Sequence, residues 1–139
     1  MRKLPKIKTL ENKLWVLCKE ITRLKYINTC FTCAKEDLFG KELHTGHFLK
    51  KRILPYEMKY DLRILRNQCS RCNLRGNGNE GLYAINLVKT EGVEYLLQID
   101  SDVRYYSLVE EMGTAEKREY LLKKIDEYKE IKRRYLDIE

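Results

Sequence analysis

Histidine, proline and tryptophan are scarce in this chain, with two, two and one among 139 residues. No run of about 18 apolar residues occurs, which excludes a membrane-spanning helix. The basic start MRKLPKIKTL lacks the apolar stretch and small-residue cleavage site of a secretory signal, so a cytoplasmic protein without a membrane partner is expected. Internal repeats and low-complexity tracts are also missing. A hydrophobic share of 43% is enough for a modest core, which argues against a disordered chain. The length fits one domain, or a compact core with helical additions.

Acidic residues are sparse in the first part of the chain. Residues 1–40 carry nine basic and four acidic side chains, residues 41–76 nine and three, and residues 77–139 ten and fourteen. The first 76 residues therefore hold +11 of charge and the rest −4. A basic half of this kind suits a polyanion such as nucleic acid, because clustered Lys and Arg neutralise phosphates; the plain alternative is solvated surface charge.

What the chain does contain is cysteine in a pattern. Four of its five cysteines form the pairs Cys30-Phe-Thr-Cys33 and Cys69-Ser-Arg-Cys72. In a reducing compartment this spacing favours metal over disulfide. Two residues between thiolates let each pair turn as a knuckle, and two knuckles complete a tetrahedral site for a structural Zn²⁺. A redox motif would use one pair at the head of a helix and leave the other unexplained. Thirty-five residues separate Cys33 from Cys69, and both histidines fall in that interval, within His44-Thr-Gly-His47. Cys18 lies outside both pairs in an apolar helical pattern and reads as a core thiol.

Leu10, Leu14, Leu17, Ile21 and Leu24 recur at spacings of four and three and predict an amphipathic helix over 10–26, with Thr9 as its N-cap. Residues around Gly40 and Gly46 suggest a knuckle, a turn and a short β-hairpin. Residues 74–81, LRGNGNEG, hold three of the seven glycines and predict a turn. Helices follow, split near Gly92, then a separate one from Asp102, then a last one after Gly113-Thr114. In the last, Leu121, Ile125, Tyr128 and Tyr135 share a face. These patterns divide the chain into an N-terminal helix (1–27), a zinc-bound core (28–100) and a C-terminal helical extension (101–139). The apolar stripes of both terminal helices suggest a homodimer.

Taken together, Cys30-x-x-Cys33, Gly46-His47-Phe48, Cys69-x-x-Cys72-Asn73 and Gly76-Asn77-Gly78-Asn79 resemble the zinc-bound HNH, or His-Me finger, nucleases. Within these, the phage recombination proteins of the NinG/Rap type and phage endonuclease VII, which cut Holliday junctions and other branched DNA, are the nearest patterns. The resemblance spans residues 28–100. It implies an α+β fold with a small ββα-metal core clamped by a four-cysteine zinc site and flanked by α-helices at both ends. It implies a phage-encoded metal-dependent endonuclease acting on branched recombination intermediates. Cys30, Cys33, Cys69 and Cys72 would hold the zinc. His47 would be the general base, and Asn73 a ligand of a catalytic Mg²⁺ or Mn²⁺. A neutral imidazole can take a proton from attacking water, and a hard cation can stabilise charge on the phosphate. Lys50, Lys51 and Arg52 after the base, and Arg66, Arg71 and Arg75 around the second knuckle, would contact phosphates.

The chain departs from the family pattern in two places. Gly46 precedes the base where many relatives carry an acid or His. NinG-like sequences instead have an acid three residues before it, and His44 stands there, as a metal ligand or a DNA contact. The middle asparagine of the pattern falls at Ile64, with Asn67 the nearest asparagine, and Asp61 offers a further carboxylate. A zinc module that binds nucleic acid or a recombination partner without cutting, and a homing or restriction-type nuclease, are the alternatives. No separate sequence-reading domain is visible to favour the last.

Overall fold

A computed structural model describes residues 3–137; the first two and last two residues of the expected terminal segments lie outside it. Chain packing separates two units, one of Tyr26–Val109 and one of the described residues up to Lys25 together with those from Glu110 onward. The two terminal segments therefore form one unit rather than two separate flanks.

That unit consists of α1 (Ile7–Lys25) and α4 (Thr114–Leu136), packed on each other. Leu10, Leu14, Leu17, Cys18 and Ile21 of α1 are buried with Leu121, Ile125 and Tyr128 of α4. Arg118 Nε donates to Pro5 O at 3.1 Å, and Lys132 pairs with Glu20, so the helices run parallel. The helix begins before Thr9, which lies inside its first turn and is not the cap. Leu24 is exposed and does not extend the stripe. Most of the two apolar stripes is thus buried within one chain.

In the Tyr26–Val109 unit, β1 (Leu43–His47) pairs antiparallel with β2 (Leu65–Cys69), in the register Leu43↔Cys69 to His47↔Leu65. The expected local hairpin is corrected: the strands are joined by residues 48–64, which run through short 3-10 turns. A wide helical turn, Arg71–Arg75, follows β2, then α2 (Glu80–Glu91) and α3 (Val93–Leu108). Gly92, with φ 94°, breaks the two helices as expected. α3 does not end near residue 100. Gln98 bonds Asp102 and Asp100 pairs with Arg104 on its exposed side, both at i,i+4, while Ile99 is buried with Val103 and Tyr106 packed nearby. This continuity extends the unit to Val109.

The core of this unit gathers Phe48, Leu54, Met58, Ile64, Tyr83, Leu87 and Ile99. The Tyr83 hydroxyl reaches Gly46 O (2.9 Å) and Ile64 O (3.1 Å), fastening α2 to the ends of both strands. The order of two antiparallel strands and a helix, with His47 closing the first strand, sets the geometry of the site.

Candidate active site

The four paired cysteines meet although 35 residues lie between the pairs. Their sulfurs all lie within 4.8 Å of one another, and Cys33 Sγ is 3.7 Å from Cys69 Sγ. A tetrahedron with metal–sulfur bonds of about 2.3 Å has edges of about 3.8 Å, so the four can hold one metal ion, as structural zinc requires. Each knuckle turns a backbone N–H onto its first sulfur, Cys33 N to Cys30 Sγ (3.5 Å) and Cys72 N to Cys69 Sγ (3.4 Å). Electrostatics also favour a cation. Burial, opposed by the Lys35 backbone bond and helped by the sulfurs of Cys30, Cys72 and Cys69, pushes the Cys33 thiol up to about 12. At Cys30 burial works upward too, but the Cys33 N–H and the Thr32 hydroxyl bring it down to about 6. Four thiolates this close ionise together only around a positive ion.

A hollow of about 210 Å³ is lined by His47, Lys50, Lys51, Asn73, Asn77, Gly78 and Glu80. It unites the end of β1, the residues after it, the turn carrying Asn73 and the start of α2. Asn73 is held by its neighbour in the knuckle, since the Cys72 carbonyl accepts from Gly78 N at 3.1 Å. Asn77, Gly78 and Asn79 all have positive φ (55°, 85° and 53°), a conformation that Gly and Asn tolerate best. This left-handed run turns the chain back over the hollow, and it is the turn expected at 74–81.

His47 is bonded so that its tautomer is fixed. Its Nε2 lies 2.8 Å from Lys59 O, which can only accept, so Nε2 carries the proton and Nδ1 the lone pair of the neutral ring. Burial lowers the imidazole below its usual range, the Lys59 carbonyl opposes this, and the Lys51 charge adds to the lowering. The ring is therefore in its basic form at neutral pH.

His44 differs from the expectation of a metal ligand. It does not line the hollow, and both its ring nitrogens are engaged: Nε2 donates to Lys41 O (3.0 Å), and Nδ1 accepts from Asn73 Nδ2 (2.9 Å). The contact orients the Asn73 amide, turning its nitrogen to His44 and leaving Oδ1 as the donor atom for a cation.

Position Gly46 has no room for an acid. A Cβ there would lie 1.7 Å from Gln68 Oε1, and Gln68 is fully buried, held by bonds from Nε2 to Gly78 O (2.9 Å) and Thr32 Oγ1 (3.2 Å). Asn67 braces a loop: its Nδ2 donates to Ile27 O at 3.0 Å, tying β2 to the entry of the first knuckle. Asp61 is a turn carboxylate, accepting from Arg63 N (2.9 Å) and paired with the Arg63 guanidinium.

The expected phosphate contacts divide. Lys50 and Lys51 line the hollow of His47, and Lys51 and Arg52 are exposed. Arg71 and Arg75 are also exposed but line a different hollow, beside Cys33 and Cys69. Arg66 is corrected. It is 1% exposed, with its guanidinium over the rings of Tyr26 (4.6 Å), Phe31 (5.4 Å) and Tyr95 (5.9 Å) and Nη1 donating to Arg63 O and Leu65 O. Every residue of β2 is buried, so proximity to the knuckle does not bring this side chain to the surface.

Two participants carry no signal in the sequence pattern. One is the Lys59 carbonyl, a backbone atom twelve residues from the imidazole it orients. The other is Glu80, whose Oε1 is buried without a hydrogen-bond partner among the described residues. Only the Asn-Gly-Asn run before it, which forces a reversal, hinted at its position.

A family model described as "NinG: Bacteriophage Lambda NinG protein" matches residues 2–137, well beyond the 28–100 over which the motifs are recognisable. No curated protein and no solved structure matches the chain.

Proposed function

Since the chain belongs to the NinG family of phage proteins, we propose that it is a metal-dependent endonuclease that hydrolyses DNA phosphodiesters at branched recombination intermediates. The observation carrying this reading is the hollow in which a neutral, tautomer-fixed His47 meets Asn73, Lys50 and Lys51. Two lysines lining the same hollow as the neutral imidazole suit a phosphate held next to a base.

In this reading His47 Nδ1 takes the proton of a water molecule as its oxygen attacks phosphorus. The Lys59 carbonyl holds the other ring nitrogen and supports the imidazolium that forms. Lys50 and Lys51 bind the phosphate chain at the attack position, with Arg52 extending the track. Asn73 Oδ1 is a hard donor that fits Mg²⁺ or Mn²⁺. That cation, when bound, stabilises charge on the phosphate and on the leaving 3′-oxygen. Cys30, Cys33, Cys69 and Cys72 would hold a zinc ion, which would clamp the first knuckle to the second and so fix Asn73.

The test is a labelled four-way junction incubated with pure protein in Mg²⁺ or Mn²⁺. Wild type is expected to nick it, and His47→Ala to keep zinc and junction binding while losing cleavage. Undiminished cleavage by His47→Ala removes the base assignment. Junction binding without nicking by wild type supports instead a zinc module that binds and does not cut, and one unique cut in linear duplex supports a homing or restriction-type nuclease.

A further inference from the structure

We propose that Glu80 is a direct ligand of the divalent cation in the His47–Asn73 hollow, supplying the carboxylate that the motif positions of this chain lack. The proposal rests on the endonuclease reading above and concerns the metal donor set within it.

Both places where an acid is expected before the base are filled otherwise. Gly46 cannot carry one against Gln68, and His44 spends both nitrogens on Lys41 and Asn73. Without Glu80 the residues lining the hollow offer two ammonium groups, an imidazole and neutral amides, a set that repels a cation. Glu80 is its one carboxylate. The left-handed run Asn77-Gly78-Asn79 turns the chain so that the first residue of α2 lines the same hollow as His47 and Asn73.

The second observation is the state of that carboxylate. Its Oε1 is out of contact with solvent and has no hydrogen-bond partner among the described residues. An orphaned carboxylate oxygen in such a place is unfavourable unless a cation compensates it. The competing role is ordinary: an acidic residue in the first turn of a helix interacts well with the helix dipole. That role is served by a solvated carboxylate and gives no reason to bury one oxygen without a hydrogen-bond partner. One carboxylate, one amide oxygen and open positions for water and phosphate suit Mg²⁺, which keeps several waters and takes few protein ligands.

The experiment is a titration of Mn²⁺, followed by electron paramagnetic resonance, into the full zinc-loaded chain bound to a four-way junction with cleavage-resistant phosphorothioate linkages. Glu80→Gln is expected to bind Mn²⁺ at least about tenfold more weakly than wild type, as loss of a direct ligand must cost no less than loss of an outer partner. Glu80→Asp, which keeps the charge, should fall between them. With zinc present and no divalent ion added, Glu80→Gln should melt close to the wild-type temperature, since the oxygen it alters has no hydrogen-bond partner among the described residues. Wild-type Mn²⁺ affinity in Glu80→Gln overturns the proposal. So does a lowered melting temperature with unchanged Mn²⁺ binding, which marks the dipole role, and so does a wild-type chain that binds no Mn²⁺. The endonuclease reading fails separately, by Mn²⁺ binding in the wild-type chain without any nicking of normal junction.

Discussion

Arg66 tests the reasoning most directly, because sequence position and structure assign it opposite tasks. As a phosphate contact its loss would weaken DNA binding and leave stability alone. As a buried cation it should do the reverse. Truncation in Arg66→Ala removes donors from Arg63 O, Leu65 O and the Tyr95 hydroxyl. Arg63 O keeps a bond from Tyr95, so one carbonyl at most is stranded, at about 1–3 kcal/mol. Lost stacking on Tyr26, Phe31 and Tyr95 adds about 0.5–2 kcal/mol, and the vacated volume of one of the largest buried side chains adds roughly 1 kcal/mol or more. Glu91, 3.5 Å away and over a third exposed, contributes little. The total of roughly 3–5 kcal/mol is a large share of the roughly 5–15 kcal/mol typical of a domain. The melting temperature should fall by more than about 10 °C, read by circular dichroism. Arg66→Lys should recover only a minor part, because ammonium neither forks nor stacks in the same way. Measured well below the new midpoint, junction affinity should stay within about twofold of wild type. A melting temperature within about 2–3 °C of wild type, in the style of an exposed charge, together with a salt slope reduced by about one, would refute the buried-cation argument.

Two further outcomes follow from the site. Cleavage should rise with pH along a limb centred below the ordinary histidine value of about 6.5, because burial depresses His47 and only its neutral form is basic. Lys51→Ala should move that limb upward by removing a neighbouring positive charge, and a limb above about 6.5 in wild type would contradict the buried, carbonyl-bonded ring. By linkage, the unfolded chain binds the extra proton first, so the stability contribution of a neutral His47 is present above about pH 6.5 and is lost as pH falls through the folded value. Chelation is the second. Removal of one metal per chain should unfold the Tyr26–Val109 unit, seen as loss of near-ultraviolet dichroism, since zinc binding contributes about 10–16 kcal/mol in small zinc modules. A core that keeps its tertiary signal after complete metal loss would show that the sulfur cluster is not structural.

Legibility differed by type of feature. The cysteine spacing announced the metal cluster because each knuckle is a local turn, and the stripes of α1 and α4 announced buried faces because 3.6-residue periodicity is local as well. What those faces meet was not legible: the sequence pointed outward to a second copy, whereas α1 packs on α4 of the same chain. The hairpin was expected with a local partner because the true strand partner of Leu43–His47 lies beyond residues 48–64, and no periodicity reports a pairing across such a connection. Arg66 was misplaced for a similar reason, since β2 is covered on both faces and shows no alternation of polar and apolar residues.

The sequence by itself determined which chemistry is available: four thiolates in two knuckles, one stretch with both imidazoles, an asparagine bound to the last knuckle, and a basic half with an acidic remainder. Only the tertiary structure decided how those groups are used. It separated His47, fixed by the Lys59 carbonyl, from His44, spent on orienting Asn73. It buried Arg66 and brought Glu80 to the hollow. The physical reason is that residue type and short spacing fix what a side chain can bond, whereas burial, tautomer and metal access depend on atoms brought together from distant parts of the chain.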